Sequence, residues 1–196
     1  MKVLILGANG QIAQVATELF LERTDAQLTL YLREAKRLSV SHPARVHVIE
    51  GDVLDLKTLD AAMAGQDVVY ANLSGQMKEQ AQNIVVAMQR AGVKRLIFVS
   101  SMGIYGEVPG ERYRSILDPY RDSVALIEAS DLDYTIIRPA WLNDNDEISY
   151  GTTQKGEPFQ NASGVVSRKS VADLVVKLAT APDSGIRQSL GVHKRS

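Results

Sequence analysis

Apolar residues along this 196-residue chain fall into two alternating rhythms. Short, nearly continuous runs such as Lys2–Leu6 (KVLIL) read as strands covered on both faces. Between them apolar positions recur at the i, i+3, i+4, i+7 spacing of one helix face, as in Ile12, Val15, Ala16, Leu19 and Phe20. Further strands are expected at Gln27–Leu32, Arg45–Ile49, Asp67–Leu73, Arg95–Ser100 and Tyr134–Arg138. Helices are expected at Leu56–Ala64 with Asp55 as cap, at Lys78–Ala91 closed by Gly92, at Pro119–Ala129, and at Arg168–Ala179 behind Ser167. Strand–helix–strand alternation with short connections predicts an α/β, doubly wound parallel sheet in three layers. Its expected order is 3-2-1-4-5-6, with a seventh strand near Leu190–His193. The stretch Asn143–Gly164 loses the rhythm: it is polar and carries three glycines and a proline. It is expected to be an edge excursion with a short hairpin, inside one domain spanning 1–196.

Composition then removes whole classes of function. The formal net charge is −1, which argues against nucleic acid or an anionic membrane as the main partner. There is no cysteine, so disulfides, thiolate metal sites and a thiol nucleophile are out, as fits a cytoplasmic setting. The first strand is expected to begin at residue 2, so no leader peptide is expected, and no apolar run approaches the ~20 residues that span a bilayer. His42, His47 and His193 match no ligand spacing, so no metal site is expected. Asn143–Glu147 alternates oxygens as a calcium loop does, but Ile148 and Gln154 stand where that loop needs glycine and glutamate. Asn72-Leu-Ser and Asn161-Ala-Ser match a glycosylation sequon by letter only, and no G-x-S-x-G nucleophile motif occurs.

The strongest chemical signal is Gly7-Ala8-Asn9-Gly10-Gln11-Ile12-Ala13, between the first strand and the first helix. A dinucleotide's diphosphate needs backbone N–H groups aimed at it and no side chain in the way. Gly7 permits the tight turn, Gly10 lets the backbone come close, and Ala13 is small enough for helix–sheet packing. The spacing is G-x-x-G-x-x-A, and the strand before it and helix after it supply the context a bare glycine pattern lacks. Strand two closes on Arg33, with Glu34 adjacent and Lys36 and Arg37 behind. A guanidinium there can fork onto a 2′-phosphate, which favours NADP(H) over NAD(H). Asp52 and Val53 follow strand three, where a carboxylate can accept from the adenine amine and an apolar side chain can pack on the ring. Leu73, Ser74 and Gly75 close strand four, and Ser100 and Ser101 close strand five. These strand ends converge on the crevice at the carboxyl edge of the sheet.

GANGQIA, Arg33, the Ser100–Gly106 run (SSMGIYG) and Asp133–Trp141 (DYTIIRPAW) together resemble the atypical short-chain dehydrogenases/reductases, specifically the NmrA-like and biliverdin/flavin-reductase-like NAD(P)H-binding proteins. The resemblance covers nearly the whole chain and implies a Rossmann-like fold, with Pro139, Ala140 and Trp141 near the nicotinamide. It also implies a catalytic Ser, matched by Ser101 or Ser100, and a catalytic Tyr, for which Tyr120 falls in the right region. The usual lysine four residues after the tyrosine is Val124 here, and the adjacent Arg121 is expected to point off that helix face. Tyr105 is followed four later by Pro109. Without a lysine to lower the phenol's pKa from ~10, tyrosine-based ketone chemistry lacks its proton relay. A flavin or quinone accepts hydride by stacking on the nicotinamide, with solvent supplying the proton, and needs mainly positioning. Met102, Tyr105, Tyr120 and Trp141 are candidate walls for such an acceptor. Only 57 residues follow Pro139, too few for the substrate domain that the resemblance implies for nucleotide-sugar epimerases. The expectation is therefore an NADPH-dependent reductase of a small conjugated acceptor. Its alternatives are a non-catalytic NADP(H)-binding regulator that reports redox state to a protein partner, and a ketone reductase using Tyr120 without lysine.

Overall fold

The computed structural model describes residues 1–38, 42–181 and 183–195, with Arg37 described by its backbone alone. The first strand, β1 (Lys2–Leu6), sends Val3 and Ile5 into one apolar layer and Leu4 and Leu6 into the other. That alternation explains a continuous apolar run: successive side chains point to opposite faces, and both faces are covered. Beside it lie β2 (Gln27–Leu32), β3 (Val46–Glu50), β4 (Val68–Ala71), β5 (Arg95–Val99), β6 (Asp133–Pro139) and β10 (Gln188–His193). Two short strands, β7 (Trp141–Asn143) and β9 (Val165–Ser167), pair with each other in parallel outside this sheet. With β8 (Gly151–Gln154) the main sheet runs β3-β2-β1-β4-β5-β6-β10-β8.

Helices α1 (Gln11–Arg23) and α5 (Arg168–Thr180) pack together against one face. On the other lie α2 (Leu56–Met63), α3 (Met77–Ala91) and α4 (Asp118–Glu128). The helix ends behave as their residues require. Asp55 accepts from the Lys57 amide at 3.1 Å, and Gly92 takes φ 72° at the end of α3, a region that costs an L side chain energy. Ser167 accepts from the Ser170 amide at 2.9 Å.

The predicted order and the seventh strand are both present, and the difference lies in the excursion. Residues 143–164 form no hairpin of their own. Instead β8 pairs antiparallel with β10 and extends the sheet by an eighth strand, with Leu190 opposite Gln154. Gly191 faces Phe159 so closely that a Cβ there would sit 2.6 Å from the ring. The excursion is fastened to α5 through Ser167, whose hydroxyl donates to the Glu147 carbonyl at 2.6 Å. The Tyr150 hydroxyl adds a second tie, donating to Asp173 at 2.8 Å. β4 is also shorter than predicted. It leaves the sheet at Ala71, so Asn72 and Leu73 turn into the crevice.

Candidate functional site

The crevice starts at the turn between β1 and α1. Gly7 has φ 75°, and a Cβ on it would lie 2.2 Å from the Asn72 carbonyl oxygen, so no other residue fits without moving backbone. The turn is tied down by the Gly7 and Ala8 amides donating to the Tyr31 carbonyl at 3.0 and 3.3 Å, and by the Gly10 amide donating to the Gly7 carbonyl at 2.9 Å. Gly10 stands at the N-terminus of α1, which no side chain caps. The first-turn N–H groups, which lack partners inside any helix, are thus left to face an anion. A Cβ on Gly10 would meet Asn72 Nδ2 at 2.1 Å. The surface is therefore main chain with a side-chain amide beside it.

On one side of this turn lies a cleft of about 260 Å³, lined by Gly7, Asn9, Gly10, the ends of β2 and β3, and the chain leaving β4. Arg33 stands exposed at its wall, with Asp52, Val53, Leu73 and Ser74 around it. Asp52 Oδ1 accepts the Leu54 amide at 2.9 Å, and its carbonyl accepts the Tyr31 hydroxyl at 2.9 Å. Burial first, then the Asp55 and Asp52 carboxylates, push the Tyr31 phenol up to about 12, so it stays a neutral donor. Gln80 also lines this cleft, and its Oε1 is buried without a partner.

Asn72 and Leu73 also line a second cleft of about 430 Å³, with Ile12, Val99, Ser100, Ser101, Tyr120, Pro139, Ala140, Trp141, Leu142 and Arg168. Ser100 is 6% exposed, and its hydroxyl finds no partner. A buried hydroxyl without a hydrogen bond costs free energy and marks a place where a ligand group belongs. The Ser101 hydroxyl donates to the Met102 carbonyl at 3.1 Å. A third pocket, about 80 Å³, adjoins at Ser101, Pro139, Ala140 and Trp141 and opens under the 102–117 loop.

Tyr105 lies off this crevice. Its hydroxyl contacts Glu128 Oε1 at 2.7 Å and Ser189 Oγ at 3.1 Å, and Lys155 lies 4.5 Å from its ring centre. Burial, with Glu128 adding to it, raises its pKa well above the ordinary phenol value. Below it, Arg138 is fully buried and pairs with Glu107. Glu107 also accepts the Gly103 and Tyr105 amides, each at 3.0 Å, and so pins the loop that walls the third pocket.

Most of the residues expected at the site thus share one crevice. Ala8 is buried beneath the turn, Gln11 is exposed at the start of α1, and Gly75 is exposed with φ 86° and nothing near it. None of these three residues lines the clefts above. Asn72, Gln80 and Arg168 do, and the sequence reading passed over them. Asn72 carried a signal, being a polar amide at the end of an apolar strand. Arg168 did not: its guanidinium, 19% exposed and paired with Asp144 at 2.8 Å, reaches the crevice only because α5 packs against α1.

The profile of a family described as NAD(P)H-binding matches residues 7–182, which takes in the glycine turn and every strand end of the crevice. The chain belongs to this NAD(P)H-binding family. Among solved structures, this family member is similar to a Rossmann-fold NAD(P)-binding family protein from Shigella flexneri, at 41% identity and TM-score 0.88, covering 100% of this chain and 94% of that one. It is similar, too, to a wide-type short-chain dehydrogenase/reductase from Veillonella parvula solved in complex with NADP. There the identity is 31% and the TM-score 0.90, with 100% and 95% of the two chains covered. A curated relative from Bacillus subtilis, described as the uncharacterized sugar epimerase YhfK, is 29% identical over 90% of this chain and 86% of its own. The atypical short-chain dehydrogenase/reductase resemblance read from the motifs is in line with all three. The family member has a Rossmann-type α/β/α fold and a nicotinamide-dinucleotide site, and no helix among its described residues is long and apolar enough to cross a membrane.

Proposed function

We propose that this protein is an NADPH-dependent reductase that delivers hydride to a small conjugated acceptor of the flavin or quinone type, without a tyrosine–lysine pair. The observation that carries this reading is a crevice of two adjoining clefts. It runs from Arg33, past the glycine turn, to a pocket floored by Ser100 and Ser101 and walled by Trp141. The two clefts share Asn72 and Leu73 in their walls, which supports a dinucleotide lying lengthwise across both.

Each half has a part in the proposal. Arg33 receives the 2′-phosphate and selects NADP(H) over NAD(H). Val53 packs on the adenine, and Asp52 keeps one carboxylate oxygen for its amine. The amides of Gln11 and Ile12, in the uncapped first turn of α1 behind the Gly7–Gly10 bend, receive the diphosphate. Ser100 gives its free hydroxyl to the carboxamide end, while Pro139, Ala140 and Trp141 fix the ring's plane. When bound, the reduced nicotinamide supplies the hydride. The chain's own work is to align the acceptor and exclude water, which accounts for much of the rate in such transfers.

Two features speak against a tyrosine acid. Tyr120 lines the cleft, but Val124 beneath it is buried in the core, and no lysine is among the residues around that cleft. Tyr105 is already committed to Glu128. The test is to mix the protein with NADPH or NADH and a panel of flavins and quinones, following loss of reduced-nicotinamide absorbance. NADPH consumption with at least one acceptor, and slower consumption of NADH, is expected. Tight NADPH binding without turnover across the panel would overturn the reading in favour of a redox-sensing regulator.

A further inference from the structure

We infer that the acceptor carries an oxyanion, a carboxylate or a phosphate, received by Arg112 and Arg114 at the mouth of the third pocket; this rests on the reductase reading above. That pocket shares Ser101, Pro139, Ala140 and Trp141 with the nicotinamide-end cleft, so whatever occupies it lies against the cofactor's reactive end. Its inner wall is apolar, built from Met102, Val108 and Leu117. On the side shared with the neighbouring cleft stands Trp141, which is 52% exposed. An exposed indole offers a conjugated ring a face or edge to pack on.

The arginines at this end of the molecule divide into two kinds. Arg121 pairs with Asp118 and Asp122, Arg138 with Glu107, and Arg168 with Asp144. These guanidiniums are already spent on structure. Arg112 and Arg114 line the pocket, are exposed, and have no carboxylate partner among the described residues. Glu111 is the one carboxylate in the lining, and Tyr113 between the two arginines is held by its hydroxyl to Asp118 at 2.7 Å, beneath Arg121. The whole chain has a net charge of −1, so two unpaired arginines at one pocket mouth are a local feature and not part of a generally basic surface. A guanidinium fork matches carboxylate and phosphate oxygens two at a time. The apolar wall, the exposed indole and the cationic rim together describe a conjugated acceptor with a pendant anion.

Two matched pairs of probes test this: FMN against riboflavin for phosphate, and biliverdin against its dimethyl ester for carboxylate. Trp141 is the only tryptophan, so its fluorescence quenching in the NADP⁺-saturated protein reads binding without turnover. The anionic member of at least one pair should bind about tenfold more tightly, roughly 1.4 kcal/mol. The Arg112→Gln/Arg114→Gln variant should erase that difference, and raised salt should shrink it. Which pair discriminates identifies the anion. Equal affinity within both pairs, absence of quenching by all four probes, or a preference that survives the double substitution would overturn the inference. Discrimination without NADPH consumption would keep the anion site and remove the reductase reading. Consumption without discrimination would do the reverse.

Discussion

The two ends of the crevice are built by different means. The proposed adenosine–diphosphate end is built around backbone: glycines where a Cβ would strike Asn72, amides at an uncapped helix start, and strand ends held by sheet hydrogen bonds. The proposed acceptor end is largely side chains on loops, and its shape depends on a buried ion pair between Glu107 and Arg138 and on the Phe159 amide of the 143–164 excursion, which donates to the Glu107 carbonyl at 2.9 Å. A site made of main chain tolerates little change and carries a local signature. A site made of side chains can be retuned, and its parts are scattered along the chain. Family members can therefore share a cofactor and differ in what they reduce.

The largest effect that would sharpen this contrast comes from Glu107→Ala. It leaves the Arg138 guanidinium fully buried without its carboxylate, which costs about 3–5 kcal/mol in urea unfolding. NADPH affinity of the folded variant should change little, whereas acceptor affinity falls. Equal loss at both ends would show that the crevice is one mechanical unit.

Next is Asp173→Asn, at about 2 kcal/mol, since it weakens charge-assisted hydrogen bonds but leaves Arg23 and Lys177 free to face solvent. Asp173 is 3% exposed and holds Arg23 on α1, Lys177 on α5 and the Tyr150 hydroxyl of the excursion. Burial works to raise its pKa, but the hydrogen bonds from Lys177, Tyr150 and Arg23 outweigh it, and the net shift is downward. A depressed carboxylate stabilises the fold above its unfolded pKa of ~3.9, and that stability is lost as pH falls through the folded value. Hydrogen exchange should therefore show residues 147–154 losing protection in acid before the 7–13 turn does. The Asn variant should flatten that acid limb. If both segments open together, Asp173 does not govern the excursion.

At the backbone end, Gly7→Ala forces a side chain into φ 75° and against the Asn72 carbonyl, for about 2 kcal/mol of stability. It should also lower affinity for NADPH and NADH alike, as titration calorimetry would show. Arg33→Ala should be smaller and selective: about tenfold, or roughly 1.4 kcal/mol, in NADPH affinity, with NADH changed less than about twofold. Equal loss for both would remove Arg33 from the 2′-phosphate.

Legibility from sequence follows the same divide. β1, the glycine turn and α1 are contiguous, so period, turn and cap could be read together, and the sheet order followed from short crossovers. Asp55, Gly92 and Ser167 were recognisable because capping is a local act. The eighth strand was not, because Gly151–Gln154 is polar and short, and only β10, more than thirty residues later in the chain, makes it a strand. Glu107 and Arg138 gave no sign of each other across 31 positions. Arg112 and Arg114 look like ordinary solvated charges until the loop folds beside Trp141.

The most direct test of hydride transfer without a tyrosine acid is single-turnover oxidation of NADPH by a flavin or quinone acceptor, in the wild type and in Tyr120→Phe. The Phe variant should keep the rate within about threefold, under roughly 1 kcal/mol of barrier. A fall of a hundredfold or more at unchanged NADPH affinity would contradict the account and place the proton on Tyr120.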